Sequence, residues 1–112
     1  MEIINLTPHA ISVFAGADIV RTYPASGNVA RAQSTYIRSE SATVDGVPLV
    51  HVSFGDPMDL PEYAEGTYYI VSLITAQAAQ AAGRCTNDLL ITAEPVRDAD
   101  GRIIGCQSFT QV

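Results

Sequence analysis

At 112 residues, 47% hydrophobic and 16% charged, the chain is long enough to bury one core without disulfides or metal and too apolar to be disordered. Its net charge of −6 excludes a duplex nucleic-acid binder, for which cationic neutralisation of several phosphates supplies most of the affinity. No apolar run approaches the ~20 residues of a membrane span, and Met1-Glu2-Ile3-Ile4-Asn5 lacks the basic start of a signal peptide, which predicts a soluble cytoplasmic protein.

In chain order, short alternating segments rich in Val, Ile, Tyr and Thr predict strands over Glu2–Leu6, Ala10–Phe14, Ile19–Tyr23, Val29–Gln33 and Thr35–Ser39. Ala15-Gly16-Ala17-Asp18 and Pro24-Ala25-Ser26-Gly27 are the turns among them. Asp45-Gly46 predicts a tight hairpin between Ala42–Val44 and Leu49–Ser53, with Val44 facing Val47. The acidic, two-proline stretch Asp56–Gly66 reads as a surface loop.

Thr67–Leu73 reads as a strand that runs into a helix over about residues 72–83, because an alanine-rich segment ends at Gly83. Gln77 and Gln80, three apart, share one side of it, toward either a ligand or solvent. Leu89–Thr92 and Ile103–Phe109 complete the strands. The expected fold class is α+β: a single domain over residues 1–112, an antiparallel-rich β-sheet with one principal α-helix.

Between the last two strands, Val96-Arg97-Asp98-Ala99-Asp100-Gly101-Arg102 predicts a hairpin with two possible registers. A two-residue turn at Asp100-Gly101 puts Arg97 opposite Ile104 and on one face with Arg102, so that an anion is needed between the two guanidinium groups. A type I turn from Asp98 to Gly101 instead faces Asp98 with Arg102 in a cross-strand ion pair.

The inventory for catalysis is thin. Cys85 and Cys106 stand 21 positions apart without a CxxC, and neither His9 nor His51 has metal-ligand spacing to them, so no metal or cofactor is expected. Both cysteines are expected free and buried. His9, after Pro8, and His51, in an alternating strand, read as structural, and no phosphate loop is present.

Binding has better candidates. The six cations are all arginines, whose planar fork suits phosphate, although a GC-rich genome would also replace lysine with arginine. Tyr68 and Tyr69 point to opposite faces, so one of them is available to stack on a base. The Pro24–Asn28 turn with Arg31 just beyond offers N–H groups and a guanidinium. Two arginines, a stacked tyrosine and a few polar contacts approach about −12 kcal/mol, nanomolar affinity.

Four segments occur in order: Asn5-Leu6-Thr7-Pro8-His9-Ala10-Ile11; Pro24-Ala25-Ser26-Gly27 through Ala30-Arg31; Glu65-Gly66-Thr67-Tyr68-Tyr69-Ile70-Val71-Ser72; and Val96-Arg97-Asp98 through Gly101-Arg102-Ile103-Ile104-Gly105-Cys106. Together they span nearly the whole chain, which resembles the phage Thoeris anti-defence sponge family. The resemblance implies a phage protein of immune evasion, acting in the infected host's cytoplasm. It would bind cyclic ADP-ribose isomers, and cyclic trinucleotides at separate sites, without cleaving them. It implies a homo-oligomer, dimeric or hexameric. Arg97 and Asp98 match the family's ligand-contacting pair, and Tyr68 or Tyr69 its aromatic residue. Gln77 and Gln80 are weaker matches, and Arg102 is the candidate for the trinucleotide site. Competing expectations are a phage accessory protein that oligomerises without any small ligand, and a nucleotide hydrolase.

Overall fold

The computed structural model describes residues 1–38 and 42–112. Strands β1 (Glu2–Asn5), β2 (Ile11–Ala15), β3 (Asp18–Tyr23), β4 (Arg31–Val44), β5 (Val47–Met58) and β6 (Thr67–Ile70) precede helix α1 (Leu73–Ala81); β7 (Leu89–Arg97) and β8 (Ile103–Thr110) follow it. A six-stranded sheet has the order β1-β6-β7-β8-β2-β3, and β4 and β5 form a separate two-stranded ribbon. The fold is α+β. Antiparallel ladders carry most of the paired residues, and three short parallel junctions join them into the larger sheet.

Helix α1 exists where it does because both ends are capped. Ser72 is the N-cap, its hydroxyl accepting from the Thr75 N–H at 3.2 Å. At the other end Gly83 takes φ +82°, and Gly83 N–H and Arg84 N–H return to the Gln80 and Ala79 carbonyls, a Schellman closure. The cap at Ser72 stops β6 at Ile70, short of the strand end expected at Leu73. The helix is the crossover that the parallel β6–β7 pair requires. Its fully buried Ala76 and Ala79 let it lie close on the sheet, against Leu6, Tyr69, Val71, Leu89 and Ile91.

Two expectations change in the middle of the chain. The three strands expected between Val29 and Val44 are one strand, β4, and register shifts in its pairing with β5 absorb the irregularities. The loop expected from Asp56 begins later, because β5 runs on to Met58. Pro57 is tolerated there because a strand of a two-stranded ribbon has an outer edge that needs no N–H. The Asp45-Gly46 hairpin forms as expected, with φ of +53° and +76° and Val44 opposite Val47. The ribbon extends from the body as an arm. The radius of gyration is accordingly 16.8 Å, against about 13 Å for a compact chain of this length. Among the described residues, no helix is long and apolar enough to cross a membrane.

Candidate functional site

Asn5 organises one wall of the larger concavity. It is 2% exposed, and its amide nitrogen donates to the carbonyls of His9 and Tyr23 at 2.7 and 3.0 Å. Its Oδ1 accepts from the Thr7 N–H at 2.9 Å and the Thr7 hydroxyl at 2.6 Å, an Asx turn that explains the Asn-Leu-Thr order. Ser26 N–H donates to the Asn5 carbonyl and Ala30 N–H to that of Leu6. These bonds tie the Pro24–Ala30 turn to the end of β1, and every buried polar atom involved is satisfied.

Between that turn and the segment after β5 lies a cavity of about 710 Å³, bordered by Leu6, Asn28, Val29, Asp59, Leu60 and Tyr69. A second, of about 320 Å³, shares Leu6 and Val29 with it and reaches Arg31, Phe54, Ile74 and Thr75. Both volumes lie in the range of small-molecule sites. Asp59 holds a left-handed φ of +58° at the rim.

Arg84 fixes that rim from behind. Its Nη1 and Nη2 donate to the two carboxylate oxygens of Asp88 at 2.8 and 2.9 Å, and its Nε and Nη2 donate to the Pro61 carbonyl at 3.2 and 2.6 Å. Nη1 also donates to the Cys85 carbonyl. Asp88 is 2% exposed, and its hydrogen bond raises the Arg84 pKa above the ordinary value. The guanidinium therefore stays charged and holds Pro61 against the body, although Pro61 lies 23 positions earlier in the chain.

Tyr69 is buried and borders the larger cavity; Tyr68 turns the other way, beside Tyr63 and Asn87. Arg31 is exposed at the edge of the second cavity. Gln77 and Gln80 share the exposed side of α1, away from the buried face of Thr75, Ala76, Ala78 and Ala79. Cys106 is buried, which pushes its thiol pKa up. Cys85 is exposed, contrary to expectation, because it follows the helix stop at the surface. His9 and His51 are both exposed. The described residues contain no cluster of His, Cys, Asp or Glu able to hold a metal.

The last hairpin takes the type I register: Gly101 N–H donates to the Asp98 carbonyl, and Arg97 faces Ile103. The ion pair expected of that register does not form. The Asp98 carboxylate instead accepts the backbone N–H groups of Asp100 and Arg102 at 2.9 and 3.0 Å. Arg97 is not left bare by its own chain, since its Nη1 donates to the Gly101 carbonyl at 2.8 Å. It and Arg102 are exposed, and neither borders the cavities described above.

Arg97 and Tyr69 are far apart. Tyr69 pairs with Leu89 at the start of the nine-residue β7, and Arg97 is at its end. At about 3.3 Å per residue the separation is roughly 26 Å. One protomer therefore gathers Tyr69 and Arg31 around adjoining cavities, and does not bring Arg97, Asp98 or Arg102 to them. Asn5 and Arg84 are the positioning residues that sequence reasoning missed. The Asn-x-Thr turn pattern could have flagged the first, and only the i,i+4 spacing to Asp88 hints at the second. Comparison with protein-family models, with curated proteins and with solved structures finds no match to this chain.

Proposed function

We propose that this chain is a phage-encoded anti-defence sponge: a non-enzymatic protein that binds cyclic nucleotide immune signals, cyclic ADP-ribose isomers foremost, and holds them uncleaved in the cytoplasm of the infected host. One observation carries the reading. Three of the four segments behind the family resemblance, widely separated in sequence, meet at the two adjoining cavities, which Leu6, Val29, Arg31 and Tyr69 border. The chemistry around them suits such a ligand. Arg31 offers a guanidinium to a pyrophosphate, while Asn28 and Asp59 offer an amide and a carboxylate to ribose hydroxyls. Tyr69 is the aromatic residue that borders the larger cavity, where adenine would sit.

The fourth segment enters this reading only through another copy. Arg97 and Asp98 lie too far from Tyr69 to share a small ligand with it in one chain, so they act from a neighbouring subunit of a homo-oligomer, across a pocket at the interface. Arg102, exposed on the same hairpin, belongs to a separate trinucleotide site. The bonds that Arg97 and Asp98 make within their own turn favour a second reading, an accessory phage protein that oligomerises without a small ligand.

The test is direct. With five tyrosines and no tryptophan the protein absorbs weakly, so retained adenine nucleotide dominates its ultraviolet spectrum. The sponge reading expects a cyclic ADP-ribose isomer to raise the melting temperature, to co-elute in gel filtration, and to be released unchanged by mass on denaturation. No thermal shift and no co-elution with any isomer would leave the accessory reading standing. A ligand returned in cleaved form would make the protein a hydrolase.

A further inference from the structure

We infer, on the nucleotide reading above, that Asp59 makes the larger cavity selective for a ribose whose 2′ and 3′ oxygens carry no phosphate. The two adjoining cavities divide the charges of the site between them. Asp59 is the one charged residue that borders the larger, and Arg31 the one that borders the smaller. Both come from the base of the arm. Arg31 opens β4 opposite Met58, the last residue of β5, and Asp59 follows Met58 directly. Their Cα atoms are therefore roughly 6–7 Å apart, the reach from a 5′-phosphate across its own ribose. At Asp59 the left-handed φ of +58° ends the ladder. Arg31 and Asp59 do not neutralise one another, since among the described residues the ion pair is that of Arg84 with Asp88.

That pair also takes the rim's other cation out of play. Arg84 reaches the Pro61 carbonyl, but both of its Nη groups are committed to the Asp88 carboxylate. The segment from Asp56 to Gly66 adds Asp56, Glu62 and Glu65 and no cation. An anionic group in the larger cavity thus meets a carboxylate and no counter-charge. Hydroxyls fare differently, because an ionised carboxylate only accepts and a ribose diol donates to it. Dinucleotide-binding sheets use the same chemistry: a carboxylate takes the ribose 2′-hydroxyl where a guanidinium would take a 2′-phosphate. The charges then orient the ligand, with its pyrophosphate at Arg31, its ribose at Asp59 and its base toward Tyr69. A phosphate on the 2′ or 3′ oxygen has to sit against Asp59. Like charges at that distance lower affinity by about tenfold or more, which is specificity by repulsion.

Isothermal titration of cyclic ADP-ribose and of its 2′-phosphate compares two ligands that differ at one ribose oxygen. The wild type is expected to bind the parent compound about tenfold or more tightly, with a gap that narrows as salt is raised. Asp59→Asn keeps the left-handed turn, which Asn adopts as readily. It is expected to shrink the gap below about threefold by gaining the 2′-phosphate. Glu62→Gln makes the same change in net charge at an exposed residue outside both cavities, and is expected to keep the gap. Equal affinities in the wild type, an undiminished gap in Asp59→Asn, or the same narrowing in Glu62→Gln would each overturn the inference and leave the sponge reading in place. Binding of neither compound by the wild type would also overturn it, and the remaining cyclic isomers then decide the sponge reading.

Discussion

Two arginine–aspartate combinations sit at opposite ends of β7, and they are built on opposite terms. Arg84 and Asp88 precede the strand, with the Asp88 carboxylate 2% exposed and both of its oxygens given to the guanidinium. Arg97 and Asp98 end it, and there the carboxylate is spent on the backbone N–H groups of Asp100 and Arg102 while the guanidinium turns to the Gly101 carbonyl. The same two residue types make a buried ion pair in one place and a turn in the other. The deciding factor is what else competes for the carboxylate. A tight turn offers N–H donors within two to four residues, at little cost in chain entropy. Behind the helix stop the N–H groups of Gly83 and Arg84 are given to the helix, and the Asp88 carboxylate goes to the guanidinium four residues before it.

Removing Arg84 should have the largest effect. Arg84→Ala leaves Asp88 buried without its partner, which costs about 3–5 kcal/mol, and it frees the Pro61 carbonyl at the cavity rim. Urea denaturation reads the stability, and ligand titration reads the rim. Arg84→Lys should recover only part of both, because an ammonium cannot bridge Asp88 and Pro61 with one planar fork. A loss below 1 kcal/mol would mean that the pair is ornamental.

Next comes β8, the strand paired with the end of β7. Gly105 on β8 lies so close to β2 that a Cβ would come within 3.0 Å of the Ser12 carbonyl oxygen and the Phe14 ring. Gly105→Ala should therefore cost about 2–3 kcal/mol through strain between the two strands. The same change at Gly27 meets open space and perturbs only its φ of +94°. Calorimetry on the two variants separates close approach from backbone conformation. Equal losses would show that β8 can move away.

Asp98→Ala comes third. It leaves two N–H groups without their acceptor at a half-exposed turn, for about 1 kcal/mol, and it removes the side-chain bonds that favour the four-residue turn over the two-residue turn at Asp100-Gly101. Nuclear Overhauser effects should then show Arg97 moving from opposite Ile103 to opposite Ile104. An unchanged register would mean that the Gly101 φ of +82° sets it without help from the carboxylate.

The register of this hairpin marks how far local sequence carries. Asp-Gly announced both hairpins, and it specified Val44 opposite Val47 in the arm, where nothing competes for the turn. Alternation and the alanine run were enough for most strands and for α1. Strand order is not legible in the sequence, because alternation says which face a residue takes and nothing about which strand lies beside it; the parallel β1–β6 and β6–β7 junctions are set by the fold as a whole. For the candidate site, the sequence offered Tyr68 and Tyr69 as equals, and packing against α1 chose Tyr69 for the cavity. Arg84 was passed over because its purpose depends on a carbonyl that folding brings from 23 positions away.

Arg97→Ala should change stability least and still be the most informative. An exposed arginine with one hydrogen bond to its own turn is worth no more than about 0.5 kcal/mol to the fold, so the variant melts with the wild type. Its effect on capture separates two arrangements. If a neighbouring subunit presents this guanidinium to the cavity that Tyr69 borders, the variant loses ligand affinity by ten- to a hundredfold, which is the loss of one or two charge-assisted hydrogen bonds at about 1.4 kcal/mol per tenfold. The loss should then be shared by any variant that abolishes assembly, since the guanidinium would come from the neighbouring subunit. If ligand is captured by each protomer through Arg31 alone, Arg97→Ala binds like the wild type and Arg31→Ala does not. Titrating the three variants with one cyclic ADP-ribose isomer therefore tells whether the hairpin at the far end of β7 serves the cavity at the near end of it, across two chains, or serves only its own turn.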